Sequence, residues 1–284
     1  MADNPNGILY LVATPIGNLA DLTFRAVKVL QAVDFIACED TRHSRPLLDR
    51  YDIDKPLTAL HEHNEVAASA KLLDRLGQGE SMALISDAGT PLVNDPGFPL
   101  VRLAVERGVS VVPVPGACAL VAALSASGLA PGRFAFEGFP PRTSPARRAL
   151  LEGLADDAKT LIFYESSHRV LAFIKDIASV LPPQRRIVIA RELTKIHETI
   201  VRCTITEATG LIEADPFMQK GEFVVLLEGA PPKPKDELTA EQMRVLKLLL
   251  EECSVKTAAS LAAKITGARK ELLYQAALKL ADKK

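Results

Sequence analysis

The sequence has no tryptophan and few aromatic residues of any kind, 5% of 284 positions. It has no excess of either charge: 34 Lys and Arg against 35 Asp and Glu leave a formal net charge of -1. That balance excludes a global basic field drawing the chain to nucleic acid, so any such contact is local. No Cys-x-x-C pair occurs. Cys38, Cys118, Cys203 and Cys253 lie apart in or near apolar segments, the usage expected of reduced thiols in a cytoplasmic protein. Neither G-x-G-x-x-G nor G-x-x-x-x-G-K-[ST] is present, which argues against NAD and ATP as ligands. The long uncharged run over residues 109–132 is broken by Pro113, Pro115 and Gly116, and reads as strand, turn and buried helix, not as a membrane span. Residues 1–7 are polar and carry no signal-peptide pattern.

What is present describes a globular α/β protein. Apolar residues make up 48% and charged residues 24%, and the length suits two domains of ordinary size with an appendage. Apolar runs at 8–13, 35–38, 82–85 and 109–114 read as strands, with helical spacing at 22–32, 67–76, 100–107 and 119–126 between and after them. The near-continuous apolar strand at 109–114 suits a parallel sheet covered on both faces. A second alternation follows: strands at 160–164, 186–190 and 222–228, an extended segment after His197, and a helix at 170–180. The boundaries expected are an N-terminal α/β domain at 1–117, a second at 118–230, a linker at 231–237 and a helical tail at 238–284. In the tail, Thr239 with Gln242 forms a capping box and Ser254 caps a second helix, giving a helix-turn-helix type with Leu246, Leu249, Leu261 and Leu273 at core spacing.

The chain is organised around residues 84–97, Leu-Ile-Ser-Asp-Ala-Gly-Thr-Pro-Leu-Val-Asn-Asp-Pro-Gly. A strand runs straight into a loop where proline fixes φ and glycine permits positive φ, which holds the backbone in a rigid, unusual path. The loop is longer than the roughly two to six residues usual in α/β units, and it stands at a strand's carboxyl end, where such folds bind ligands. Thr14-Pro15-Ile16-Gly17-Asn18 and Pro115-Gly116-Ala117-Cys118-Ala119 repeat the pattern. Asp87 and Asp95 read as turn aspartates holding the loop through backbone hydrogen bonds.

Polar clusters follow other strands, and each has two readings. Within Glu39-Asp40-Thr41-Arg42-His43, Asp40 or Thr41 caps a helix beginning near Ser44, or the cluster is a site. His61-Glu62-His63-Asn64-Glu65 supplies too few ligands for zinc, which leaves a solvated loop or substrate contacts. The basic stretch 140–148 is a linker or a mobile phosphate-contacting segment.

Residues 86–97 closely resemble the signature of the bacterial small-subunit rRNA cytidine 2′-O-methyltransferase family, the ribosomal RNA small subunit methyltransferase I type. Residues 13–19, 39–42, 61–65, 164–169 and 191–195 agree in register, so the resemblance spans residues 8–229. It implies a fold similar to the tetrapyrrole methylases, two α/β domains with S-adenosylmethionine in the cleft between them. In those proteins the loop usually reads Gly-Asp-Pro, whereas Thr90 stands here in place of the acid, which tells against a tetrapyrrole substrate.

The resemblance implies cofactor contacts at Pro15, Ile16, Gly89, Thr90, Val93, Cys118, Ala119, Glu165 and Leu193; from the residues themselves, no metal is expected. It implies transfer of a methyl group to a ribose 2′-hydroxyl of a decoding-centre cytidine in 16S rRNA, within the assembled small subunit, by a cytoplasmic homodimer with no membrane contact. Asp40, His61 and Lys195 are the candidates for removing the hydroxyl proton, and Arg42, Asn64, Arg169 and Arg191 for substrate contacts. For Arg169, a salt bridge or cap at a helix start is an equal reading. A small-molecule methylase of tetrapyrrole or diphthine type and a non-catalytic ribosome-assembly factor stay open as alternatives.

Overall fold

The computed structural model describes residues 7–231 and 238–281. Residues 1–6 of the polar N-terminal stretch, 232–237 of the expected linker and 282–284 of the expected tail lie outside the described residues. The chain divides into two compact units, one carrying two sheets and one carrying the C-terminal helices.

The first sheet is built by β1 (Ile8–Val12), α1 (Phe24–Ala32), β2 (Phe35–Cys38), α2 (Thr41–Arg50), β3 (Leu57–Ala59), α3 (Glu65–Gly77), β4 (Met82–Ile85), α4 (Phe98–Glu106) and β5 (Ser110–Val114). Its order is β3-β2-β4-β1-β5, and every pairing is parallel. Because side chains alternate across a strand, Phe35 and Ala37 join Met82 and Leu84 on the face covered by α3 and α4. Ile36, Cys38, Ala83 and Ile85 lie on the other face, under α1 and α2. A parallel sheet covered on both faces requires runs such as Met82–Ile85 to be apolar throughout. β5 departs from the expectation of full cover: it is an edge strand and only partly buried, which is where Pro113, unable to donate to a ladder, is tolerated.

The second sheet comprises β6 (Phe134–Gly138), β7 (Thr160–Ser166), β8 (Arg186–Arg191), β9 (Thr199–Thr204) and β10 (Glu222–Leu227). Its helices are α5 (Ala119–Ser127), α6 (Ser144–Leu154), α7 (Val170–Val180) and α8 (Ile205–Ala214). The order is β6-β7-β10-β8-β9; β6 runs parallel to β7, and every other pairing is antiparallel. β10 therefore enters the sheet at the end where β7 and β8 leave it. α6, α7 and α8 pack one face around Phe163, Phe173 and Ile189, while α5 covers the other with Leu120, Ala123 and Leu124.

Two local expectations are corrected. Asp40 accepts the Arg42 N–H at 2.8 Å, so the cap starts α2 at Thr41, not near Ser44. The basic stretch read as a mobile loop is half helix: α6 begins at Ser144 with Pro145 in its first turn, where a missing N–H costs nothing. Its Arg147 is 5% exposed and donates to Asp176 at 2.6 Å, so it scaffolds the fold and does not offer itself to phosphate.

The tail consists of α9 (Ala240–Glu252), α10 (Val255–Thr266) and α11 (Lys270–Ala281). Thr239 and Gln242 form the reciprocal capping box, and Ser254 caps α10. Leu246 and Leu273 are buried, but Leu261 is exposed; Ala258, Ala259 and Ala262 fill the centre, since small side chains let helices approach closely.

Candidate functional site

Two pieces of backbone frame the site from the first sheet. The loops after β1 and β4 are zipped together: Thr14 N–H donates to Gly89 O at 2.9 Å, and Gly89 N–H returns to Thr14 O at 3.1 Å. The Thr14 hydroxyl adds a bond to Ser86 O at 3.0 Å. Gly89 has φ +89°, and a Cβ there would stand 3.3 Å from the Ile16 side chain. Thr90 ties the same loop to the next one through Ala117 O at 3.0 Å. Leu92 and Asn94 adopt φ +71°, a left-handed conformation that is unusual for a non-glycine residue and that clusters at functional sites.

Facing them is the mixed end of the second sheet. Tyr164, Glu165 and Ser166 close β7, directly paired with Val224, Phe223 and Glu222 at the start of β10. Glu192 and Thr194, after β8, take φ +50° and +66°. Between these walls lies a cavity of about 320 Å³. Of the residues expected at the cofactor, Ile16, Gly89, Thr90 and Val93 line it from one side, and Cys118, Ala119, Glu165 and Leu193 from the other. Pro15 is buried beside Ile16 and is not part of the lining.

The residues expected at catalysis and substrate stand elsewhere; none of the seven lines the cavity. Asp40 pairs with Arg42 at 2.9 Å, and the hydrogen bonds from Arg42 hold its carboxyl down at about 2, too acidic for a general base near neutrality. Lys195 is corrected as a base as well. Burial works against its charge, but hydrogen bonds of 2.8 Å to both Glu192 and Glu222 outweigh it and raise the ammonium's pKa. Its aliphatic stem lies over Gly17, where a Cβ would meet Lys195 Cγ at 2.4 Å, so Lys195 clasps the loop after β1 to the second sheet. His61 sits in the turn before α3 with a buried Nδ1 that has no partner among the described residues.

Three substrate candidates are occupied by local structure. Asn64 donates to Ala59 O and accepts from His61 N–H, which holds the turn. Arg191 is 7% exposed and donates to Lys220 O at 2.6 Å and His197 O at 3.1 Å. Arg169 donates to the carbonyls of Pro140 and Pro141 and stands 3.3 Å from Glu165, the structural half of its two readings. These corrections share one cause: a guanidinium or amide finds nearby carbonyls whose position the sequence does not disclose. Arg42 remains largely exposed.

Several groups to which the sequence assigned no role at the site also line the cavity. Asp87 and Asp95 are among them, with Tyr164 and Phe139. Asp87 does accept a backbone N–H, that of Asp40 at 3.3 Å, which joins the loops after β2 and β4. Asp95 is different. Its Oδ2 is buried without a partner among the described residues, and burial raises its pKa. Tyr164 accepts the Leu120 N–H at 3.1 Å, capping α5, and burial pushes its hydroxyl up to about 12. The tyrosine was legible as the last bulky residue of an apolar strand followed by a polar cluster.

Glu165 is 2% exposed. Its Oε1 accepts from Ser166 N–H at 2.8 Å, its Oε2 has no partner among the described residues, and burial raises its pKa. A raised carboxyl favours folding only while protonated, so that contribution is complete below the ordinary value of 4.5 and is lost as pH rises through the higher folded value. Glu165→Gln should therefore raise the ligand-free melting temperature near neutral pH by about 2–4 °C. The gain should vanish in scans below the ordinary carboxylate range. An unchanged melting temperature at neutral pH would show that Glu165 is not an unfavourable buried charge.

Residues 8–209 match the family of Tetrapyrrole (Corrin/Porphyrin) Methylases, which places this α/β chain among the methylases. The uroporphyrin-III C-methyltransferase from Thermus thermophilus, solved in complex with S-adenosyl homocysteine, aligns with a TM-score of 0.53. The alignment covers 78% of this chain and 97% of that one at 21% identity, a likeness of fold. Residues 236–281 match the RsmI C-terminal HTH domain. The chain is 51% identical over 270 residues to the ribosomal RNA small subunit methyltransferase I of Haemophilus influenzae, covering 95% of both chains. To that of Escherichia coli O157:H7 it is 50% identical over 277 residues, covering 98% of this chain and 96% of the relative. The chain belongs to the ribosomal RNA small subunit methyltransferase I family.

Proposed function

We propose that this protein uses S-adenosylmethionine to methylate the ribose 2′-hydroxyl of a decoding-centre cytidine in 16S rRNA. It acts on the assembled small subunit, as a cytoplasmic homodimer. The observation that carries the reading is the cavity, whose walls fit the cofactor. Gly89 lets main chain approach a ligand closely, Ile16, Val93 and Leu193 offer apolar surface to a nucleoside, and the buried Oε2 of Glu165 stands ready for a donor. When bound, the cofactor supplies a methyl group activated by its sulfonium.

The chain's own contribution is position and proton transfer. Rigid loops that hold both reactants at near-attack distance supply roughly 7–11 kcal/mol of the barrier. The zipped Thr14–Gly89 bridge and the clasp of Lys195 over Gly17 provide that rigidity. For the proton of the 2′-hydroxyl, Asp95 replaces Asp40 and Lys195: it lines the cavity, and burial outweighs a hydrogen bond with Ser86 to make it a stronger base than an ordinary aspartate. The ribose hydroxyl is also the group that separates RNA from DNA as acceptor.

The test is mass spectrometry of 16S rRNA from cells lacking the gene, followed by addition of the purified protein and cofactor to their small subunits. A missing cytidine ribose methyl that the protein restores is the expected result; no missing methyl refutes the acceptor. In the same assay, Asp95→Asn should lower kcat by about 10²–10⁴ while still binding S-adenosyl homocysteine.

A further inference from the structure

Phe139 is half-exposed, yet it lines the cavity. Exposure alone means little, since Phe24, Phe98, Phe134 and Phe217 are exposed too. Among these five, Phe139 is the one in the cavity wall, and it is held there by more structure than a surface side chain needs. Its ring meets Tyr164 edge-on at 5.9 Å, and Tyr164 meets Phe136 at 4.7 Å, so three aromatic rings run in contact from the sheet to the cavity margin.

The backbone around Phe139 is equally fixed. Gly138 has φ +67°, and a Cβ there would lie 2.9 Å from the Asn94 side chain, which seats the segment against the strained loop of the first sheet. On the other side, Pro140 and Pro141 restrict φ, and both of their carbonyls accept from Arg169. Arg147, buried, takes the Arg142 carbonyl at 2.9 Å. Arg169, one of the substrate candidates, and Arg147, from the basic stretch, instead anchor the segment that presents Phe139. Arg142 follows on the surface.

A rigid aromatic face, half in a cavity and half open to solvent, suits a flat apolar partner that arrives from outside. With the cofactor in the cavity, the acceptor approaches at its margin, where Phe139 stands. Proteins that read single-stranded or splayed-out RNA stack its bases on aromatic side chains, because every base has a π-face and little ordering is lost on a preset ring. Resting on the methyltransferase reading above, we propose that Phe139 is the stacking platform for the nucleobase whose ribose is methylated, a positioning residue for the acceptor.

The test uses full-length protein and small subunits from cells lacking the gene. Activity of the unaltered protein on these subunits comes first: its absence would refute the function, not the platform. Given that activity, Phe139→Leu should raise KM for the subunit about tenfold, with S-adenosyl homocysteine affinity by calorimetry and the melting temperature unchanged. Phe139→Tyr keeps the ring and should restore KM to within about threefold of the parent. An unchanged KM in Phe139→Leu, or a fall in kcat alone, would overturn the proposal. Loss of S-adenosyl homocysteine binding in that variant would overturn it too, by making Phe139 a wall of the cofactor pocket.

Discussion

Asp176→Ala should destabilise the two-sheet unit by about 3–5 kcal/mol, a fall in melting temperature of about 6–20 °C. The carboxylate sits between α6 and α7. Its Oδ2 accepts from Arg147 Nε at 2.6 Å, and its Oδ1 accepts from the Ser144 hydroxyl at 2.6 Å. Removing it leaves a guanidinium that is 6% exposed with one carbonyl for company, and an uncompensated buried charge is among the costliest single defects. Replacing both partners with apolar residues of similar size should recover most of the loss, because the pair's attraction does little more than offset its own desolvation. Urea titration of the single and double variants measures both quantities. A loss below about 1 kcal/mol in Asp176→Ala would mean that water reaches the arginine.

Gly89→Val should abolish cofactor binding while leaving the fold in place. The residue needs φ +89°, where a β-branched side chain is a steric outlier. The new side chain would push toward Ile16 and Ala117, at 3.3 and 3.7 Å from its Cβ, and would break the two-way bridge to Thr14. Affinity for S-adenosyl homocysteine should fall at least about 100-fold, equivalent to about 2.7 kcal/mol. Gly108→Val is the matched control: it has φ +70° and open space around it, at the end of α4 and outside the cavity lining. That variant should lose stability and keep its affinity. Binding by Gly89→Val within about threefold of the parent would remove this loop from the cofactor site.

The parts of the fold that could be read from sequence are those where one force dominates. Met82–Ile85 is apolar at every position because both faces of its sheet are covered, and the Pro- and Gly-rich loop after it follows from the backbone path it must take. The cavity residues named from the family resemblance are mostly small or apolar and make their contribution through shape. Polar residues were less legible. Asp40, read both as a helix cap and as a candidate base, is the cap and is made acidic by Arg42; Arg191, named for substrate contacts, is buried on two carbonyls. A charged side chain's role depends on which acceptor lies within reach, and that is decided by tertiary contacts. Phe139 escaped for another reason. β6 is an edge strand whose register breaks between Phe136 and Gly138, so the placement of Phe139 is decided by that bulge and by the positive φ of Gly138, not by the strand's period.

Among the described residues, five non-glycine residues take positive φ, and Leu92, Asn94, Glu192 and Thr194 belong to the two loops that face each other across the cavity. Each such residue costs on the order of 1–3 kcal/mol, and together they approach the 5–15 kcal/mol, roughly, that keeps a whole domain folded. Strain of this kind persists only where the surrounding structure over-determines it, and a ligand that grips the strained conformation adds to that support. Selection for heat tolerance and selection for catalysis pull these four positions in opposite directions.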